Sequence, residues 1–201
     1  MKALILVGLQ IDLGPGGAVG VPESGGLVPV INRLMPRFDL VVAANFWLPA
    51  GHRLFAANHL WRKPGQALDF DGYPAILQTM FCVQNSFGAE FMAGLNTEQI
   101  SFAATMGTGP GAFPHSAFFD AGDKRPTGLE SFLKNQKATQ VYIAGMPLEK
   151  EVKNTALDAM GLGCPTFLFS DACKPRLESE KQKTLDLLAG NGVQLLPSTS
   201  F

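Results

Sequence analysis

Cysteine is scarce in this chain, and the three present cannot build a framework. Cys82, Cys164 and Cys173 are odd in number and lack the close pairing of a zinc site. Neither a disulfide scaffold nor a thiolate-held metal is therefore expected, and reduced thiols in a cytoplasmic protein are the simpler reading. An excess of one charge is missing too, since 16 Lys and Arg stand against 17 Asp and Glu for a net charge of −1. That balance gives no electrostatic reason to expect nucleic acid or an anionic membrane surface as a partner. No apolar run approaches the ~18 residues of a membrane span. The opening MKALILVGLQID is apolar only as far as Leu9 and then meets Gln10 and Asp12, so it reads as a first strand rather than a signal segment.

What is present is a series of short runs rich in Val, Ile, Leu and Phe, separated by amphipathic segments. The runs are 3–7, 40–44, 100–104, 141–144, 167–169 and, more weakly, 193–196, each bounded by Gly, Pro or polar residues. Continuous apolar runs of this length are the pattern of strands buried on both faces, which predicts a mainly parallel sheet. Helices are predicted over 27–37, 128–136, 150–162 and 178–191, giving an α/β layered fold in one domain, 1–201. The irregular tract 47–89 is too long for an idle connector and is expected to cover the carboxyl ends of the strands. Two glycine-rich stretches, GPGGAVG at 14–20 and GTGPGAF at 107–113, do not open a helix and lack a following Lys-Ser or Lys-Thr. They read as loops, and no cofactor is expected.

One stretch poses the functional question. QVYIAGMPLEKEVKNTALDAMGLGCPTFLFSDACKP, 140–175, reads as strand, tight loop, helix and strand, the layout on which α/β hydrolases mount a nucleophile. Yet the loop and first helical turn offer Pro147, Leu148, Glu149, Lys150 and Glu151, with no Cys or Ser. Together with GPGGAVGVP, FDLVVAANFWLPAGH, CVQNSFGAEF, SAFFDAG and TGLESFL, this stretch makes the chain resemble, over nearly all its length, the nicotinamidases among the isochorismatase-like cysteine hydrolases.

The resemblance implies a three-layer Rossmann-like fold with a six-stranded, mainly parallel sheet flanked by helices. It also implies a site of Asp, Lys and a Cys nucleophile beside a metal held by one Asp and two His. Carried over residue by residue, the family's catalytic Asp falls on Gly8, its Lys on Met106 and its Cys on Glu151. The metal-ligand positions fall on Phe46, Leu48 and Phe81. Thiolate attack needs an acid/base partner and a nearby positive charge, which glycine, methionine and glutamate at these positions do not supply. Phe and Leu offer a divalent cation no lone pair.

This pattern favours a non-catalytic protein with a binding or regulatory role. The alternatives are a hydrolase of a small amide or another substrate through a rebuilt site using Glu151, Asp12 and a histidine, or an active nicotinamidase aligned differently. Pocket candidates are Gln10, Asp12, Phe46, Leu48, Phe81, Met106 and Glu151. The four apolar chains are expected to pack together, with Gly8 leaving room and Glu151 at the rim of a small, mainly apolar pocket. That pocket would suit a small neutral or cationic ligand. Local roles compete for several of these groups: helix-start electrostatics for Glu151, loop anchoring for Asp12, bracing for His52 and His59, and a hydrogen bond across the loop for His115. Cys82 is expected to be a packed thiol, and the family resemblance makes a homo-oligomer the expected assembly.

Overall fold

The computed structural model describes residues 1–121 and 125–201. The chain runs β1 (Lys2–Val7), α1 (Leu27–Leu34), β2 (Leu40–Phe46), β3 (Ala67–Phe70), β4 (Tyr73–Ile76), β5 (Phe102–Met106), β6 (Phe113–Pro114), β7 (Asp120–Ala121), α2 (Leu129–Asn135), β8 (Gln140–Gly145), α3 (Lys153–Gly161), β9 (Thr166–Cys173), α4 (Lys181–Gly190) and β10 (Gln194–Leu196). Six strands form one sheet in the order β10-β9-β8-β1-β2-β5, every neighbouring pair parallel. With helices flanking the sheet, the architecture is a three-layer α/β fold. Strands β1, β2 and β8 are buried along almost their whole length, and this is why their sequences are mostly continuous apolar runs rather than alternating.

Helix α1 shows the other period. Leu27, Val28, Ile31 and Leu34 are buried at helical spacing, and Pro29 sits in the first turn, where its missing N–H breaks no helical bond. The expected helix over 150–162 begins differently. Leu148–Val152 forms a π-helical turn before α3 starts at Lys153.

Register brings the strand ends together. Val7 lies opposite both Ala44 and Gly145, and Phe46 lies opposite Met106. Strand β9 is longer than the run 167–169, and a register irregularity sets its last residue, Cys173, opposite Gly145. The chain beyond it is thereby carried onto the π turn, where Leu148 N–H donates to Lys174 O at 2.9 Å. The tract 47–89 contains the β3–β4 hairpin, whose residues Tyr73 to Ile76 face the strand ends across a cavity. No helix among the described residues is long and apolar enough to cross a membrane.

Candidate active site

Gln10, just beyond β1, fixes the floor of the site. Its Oε1 accepts the Phe46 N–H at 2.7 Å, and its Nε2 donates to Phe46 O and Ala89 O, both at 2.8 Å. The side chain is wholly buried, so all three bonds are made away from water and fasten the end of β2. Phe46 then packs edge to face on Phe81 at 5.4 Å, and Phe81 on Phe55 at 5.9 Å. Leu48 and Met106 are buried without remaining exposure.

A cavity of about 330 Å³ opens in front of Phe46 and Phe81. Its apolar lining includes those two rings, Tyr73, Pro74 and Phe113; its polar lining is Gln78, His115, Lys150, Glu151, Asn154 and Arg176. Glu151 comes from the π turn. Oxygen Oε2 of its carboxyl is enclosed and has no hydrogen-bond partner, and burial pushes the group above the usual carboxylate range. The charges of Lys150 and Arg176 and its own backbone N–H oppose that rise, while Glu149 adds to it. The Tyr73 phenol is also pushed up, by burial and then by the Glu151 charge, which places ring and carboxyl in the same electrostatic environment.

His115 is held at the rim. Asn154 Nδ2 lies 3.3 Å from its Nδ1 and donates to its carbonyl at 3.1 Å, while Nε2 stands 3.7 Å from Asp158 Oδ2. Arg176 arrives by way of the extended β9: its backbone N–H is shared by both oxygens of Glu149 at 3.0 Å, and Nη1 donates to Gln78 Oε1 at 3.3 Å. A carboxyl with a raised pKa, an imidazole and two cationic groups beside an apolar wall are the parts of a general acid–base site.

Several expected site residues lie elsewhere. Phe46, Phe81 and Glu151 line the cavity, whereas Gln10, Asp12, Leu48 and Met106 do not. Asp12 Oδ2 accepts the Cys82 N–H at 2.7 Å and Oδ1 the Ala18 N–H at 3.4 Å, so its carboxylate is consumed by loop anchoring. Gly8 leaves no room: a Cβ there would sit 2.3 Å from Met146 O, at a φ of +64°. His52 is buried, its Nδ1 accepting the Leu54 N–H at 3.0 Å and its Nε2 3.2 Å from Ala112 O, and burial lowers its pKa. His59 is tied to Arg53 O at 2.7 Å.

The pocket has the expected apolar lining but carries more than the one carboxylate, because Lys150, Asn154, His115 and Arg176 join Glu151 around it. The sequence carried one signal for this, since Glu151, Asn154 and Asp158 recur at helical spacing and so share a face. Arg176 had none. It lies just past the last motif, and only the irregular end of β9 brings it back.

None of the three cysteines lines the cavity. Burial pushes the Cys82 thiol far up and the Cys173 thiol up to about 12, so neither supplies a thiolate at neutral pH. The metal implied by the resemblance does not fit either. Phe46, Leu48 and Phe81 carry no donor atoms, and no cluster of three His, Cys, Asp or Glu suited to a metal occurs among the described residues.

The isochorismatase domain family matches residues 2–200. The nicotinamidase of Escherichia coli (strain K12) is 36% identical over 179 residues, covering 86% of this chain and 83% of that protein. The nicotinamidase of Acinetobacter baylyi is 32% identical over 200 residues, covering 99% and 94%. Among solved structures, the nicotinamidase/pyrazinamidase of Acinetobacter baumannii superimposes with a TM-score of 0.93 at 32% identity, covering 99% of this chain and 97% of the other. These likenesses overturn the expectation of a non-catalytic protein with a binding or regulatory role. These relatives, matched over most of the chain, are nicotinamidases, and beside the packed Phe46, Phe81, Leu48 and Met106 the candidate site keeps a cavity lined by titratable groups.

Proposed function

The chain belongs to the isochorismatase family, and from that premise we propose that it hydrolyses small carboxamides, as a relative of the nicotinamidases, with Glu151 as the acid–base residue. The observation that carries this reading is Glu151, a residue of the cavity lining whose carboxyl has one enclosed, unpaired oxygen and a pKa raised by burial. A carboxyl whose pKa is raised by burial is suited to give and take protons in a reaction.

The chemistry follows from the residues. Glu151, ionised, takes a proton from a water molecule whose oxygen attacks the amide carbonyl carbon; the carbonyl π pair moves onto oxygen. Lys150, a residue of the cavity lining, brings positive charge to that developing oxyanion. As the C–N bond breaks, the protonated Glu151 returns its proton to the departing nitrogen, so one amide and one water become one carboxylic acid and ammonia. His115, held by Asn154 beside Asp158, is a second proton carrier at the rim. The aromatic lining accepts a flat ring. Unpaired cysteines support a reducing compartment, the cytoplasm, as the place of action.

Ammonia release from nicotinamide and benzamide tests the reading. Purified protein is expected to turn over at least one of them, and Glu151→Gln to lower the rate by about a hundredfold or more. Absence of turnover with both amides, or equal rates in the variant, would overturn it.

A further inference from the structure

Two residues that line the cavity each carry an enclosed polar atom without a hydrogen-bond partner: Glu151 at Oε2 and Arg176 at Nε. A guanidinium has five N–H donors, and the Arg176 side chain uses Nη1 on Gln78 at 3.3 Å, a neutral acceptor at the edge of hydrogen-bond range. The nearby Glu149 carboxylate is spent on the Arg176 backbone N–H. Leaving a buried charged donor unmatched is costly, and such a group is matched when a ligand brings the acceptor.

Charge points the same way. Lys150 and Arg176 are the cationic residues of the cavity lining and Glu151 is its carboxyl, with the Glu149 carboxylate turned to the Arg176 backbone N–H. A cationic ligand would add to the charge of these two residues, whereas an anionic group on the ligand gives the Arg176 guanidinium a charged acceptor where it now has only neutral Gln78. We propose that Arg176 is an anion-binding residue and that the substrate is a small planar carboxamide bearing a second, anionic group, a carboxylate, held by the guanidinium. This rests on the reading of the cavity as a hydrolytic site. The amide lies toward Glu151, the ring toward Phe46 and Phe81, and the carboxylate toward Arg176 and Gln78; about 330 Å³ holds one substituted ring.

The test measures binding apart from turnover. Glu151→Gln, which mimics the protonated carboxyl, is titrated calorimetrically with benzamide and with the three carbamoylbenzoate isomers, which add only a carboxylate. At least one isomer is expected to bind about tenfold or more tightly than benzamide. E151Q/R176Q should lose that advantage and E151Q/R176K retain part of it. Equal affinities, or an advantage that survives R176Q, overturn the proposal. Should R176Q fail to fold, the advantage in E151Q is read at about 0.05 M and 0.5 M salt: a fall supports the anion site and constancy overturns it. Wild-type turnover is scored separately, so absent hydrolysis with the binding preference intact removes the hydrolase reading and leaves the anion site standing.

Discussion

At Gly8 the backbone decides which side chain the site can carry. A φ of +64° and a Cβ position 2.3 Å from Met146 O exclude any larger residue without movement of the chain. Gly8→Ala is expected to lose more than about 2 kcal/mol in urea unfolding, and Gly8→Asp to be at least as damaged instead of gaining a useful carboxylate. Glu151 is the opposite case, a side chain held at some cost. Its folded pKa lies above the ordinary value, so the folded state binds the proton more tightly than the unfolded one. The stability this brings is full below the unfolded pKa and is lost as pH rises through the folded one. Melting curves should therefore show Glu151→Gln gaining on the wild type at pH 8 and not at pH 4. An equal difference at both pH values would mean that the carboxyl is not strained by burial.

Elements place these residues through a few buried ties. Gln10 joins the loop after β1 to the end of β2 and to Ala89, satisfying one N–H and two carbonyls. Gln10→Leu would fill the space while leaving three groups unpaired, and a loss of about 3 kcal/mol or more in urea unfolding is expected. Strands such as Val141–Ala144 were legible in the sequence because burial on both faces demands unbroken hydrocarbon. The β3–β4 hairpin was not, since its alternately exposed residues, two of them next to a turn, carry no apolar run. The π turn at Leu148–Val152 has no sequence signature either. Its residues have ordinary helical preferences, and what selects the wider turn is tertiary: the Lys174 carbonyl on Leu148 and the Glu149 carboxylate on Arg176.

For the whole molecule, the cavity exists because segments far apart in sequence meet at the carboxyl ends of a parallel sheet. Family motifs led to Phe46, Phe81 and Glu151, but Lys150, His115 and Arg176 could be assigned to the site only once the chain was folded. Phe81 closes the apolar side with 6% of its surface exposed, packed edge to face against Phe46 and Phe55. Its replacement by His should cost on the order of 2 to 4 kcal/mol in melting or urea unfolding. The central claim, that a buried carboxyl runs amide hydrolysis here, is tested most directly by the pH dependence of kcat/KM for nicotinamide or benzamide in wild type and Glu151→Gln. The account predicts an acid limb displaced above the ordinary carboxylate range, rising with pH as Glu151 ionises, and its loss together with most of the rate in the variant. A profile flat through that region, or the same limb surviving in Glu151→Gln, would contradict it.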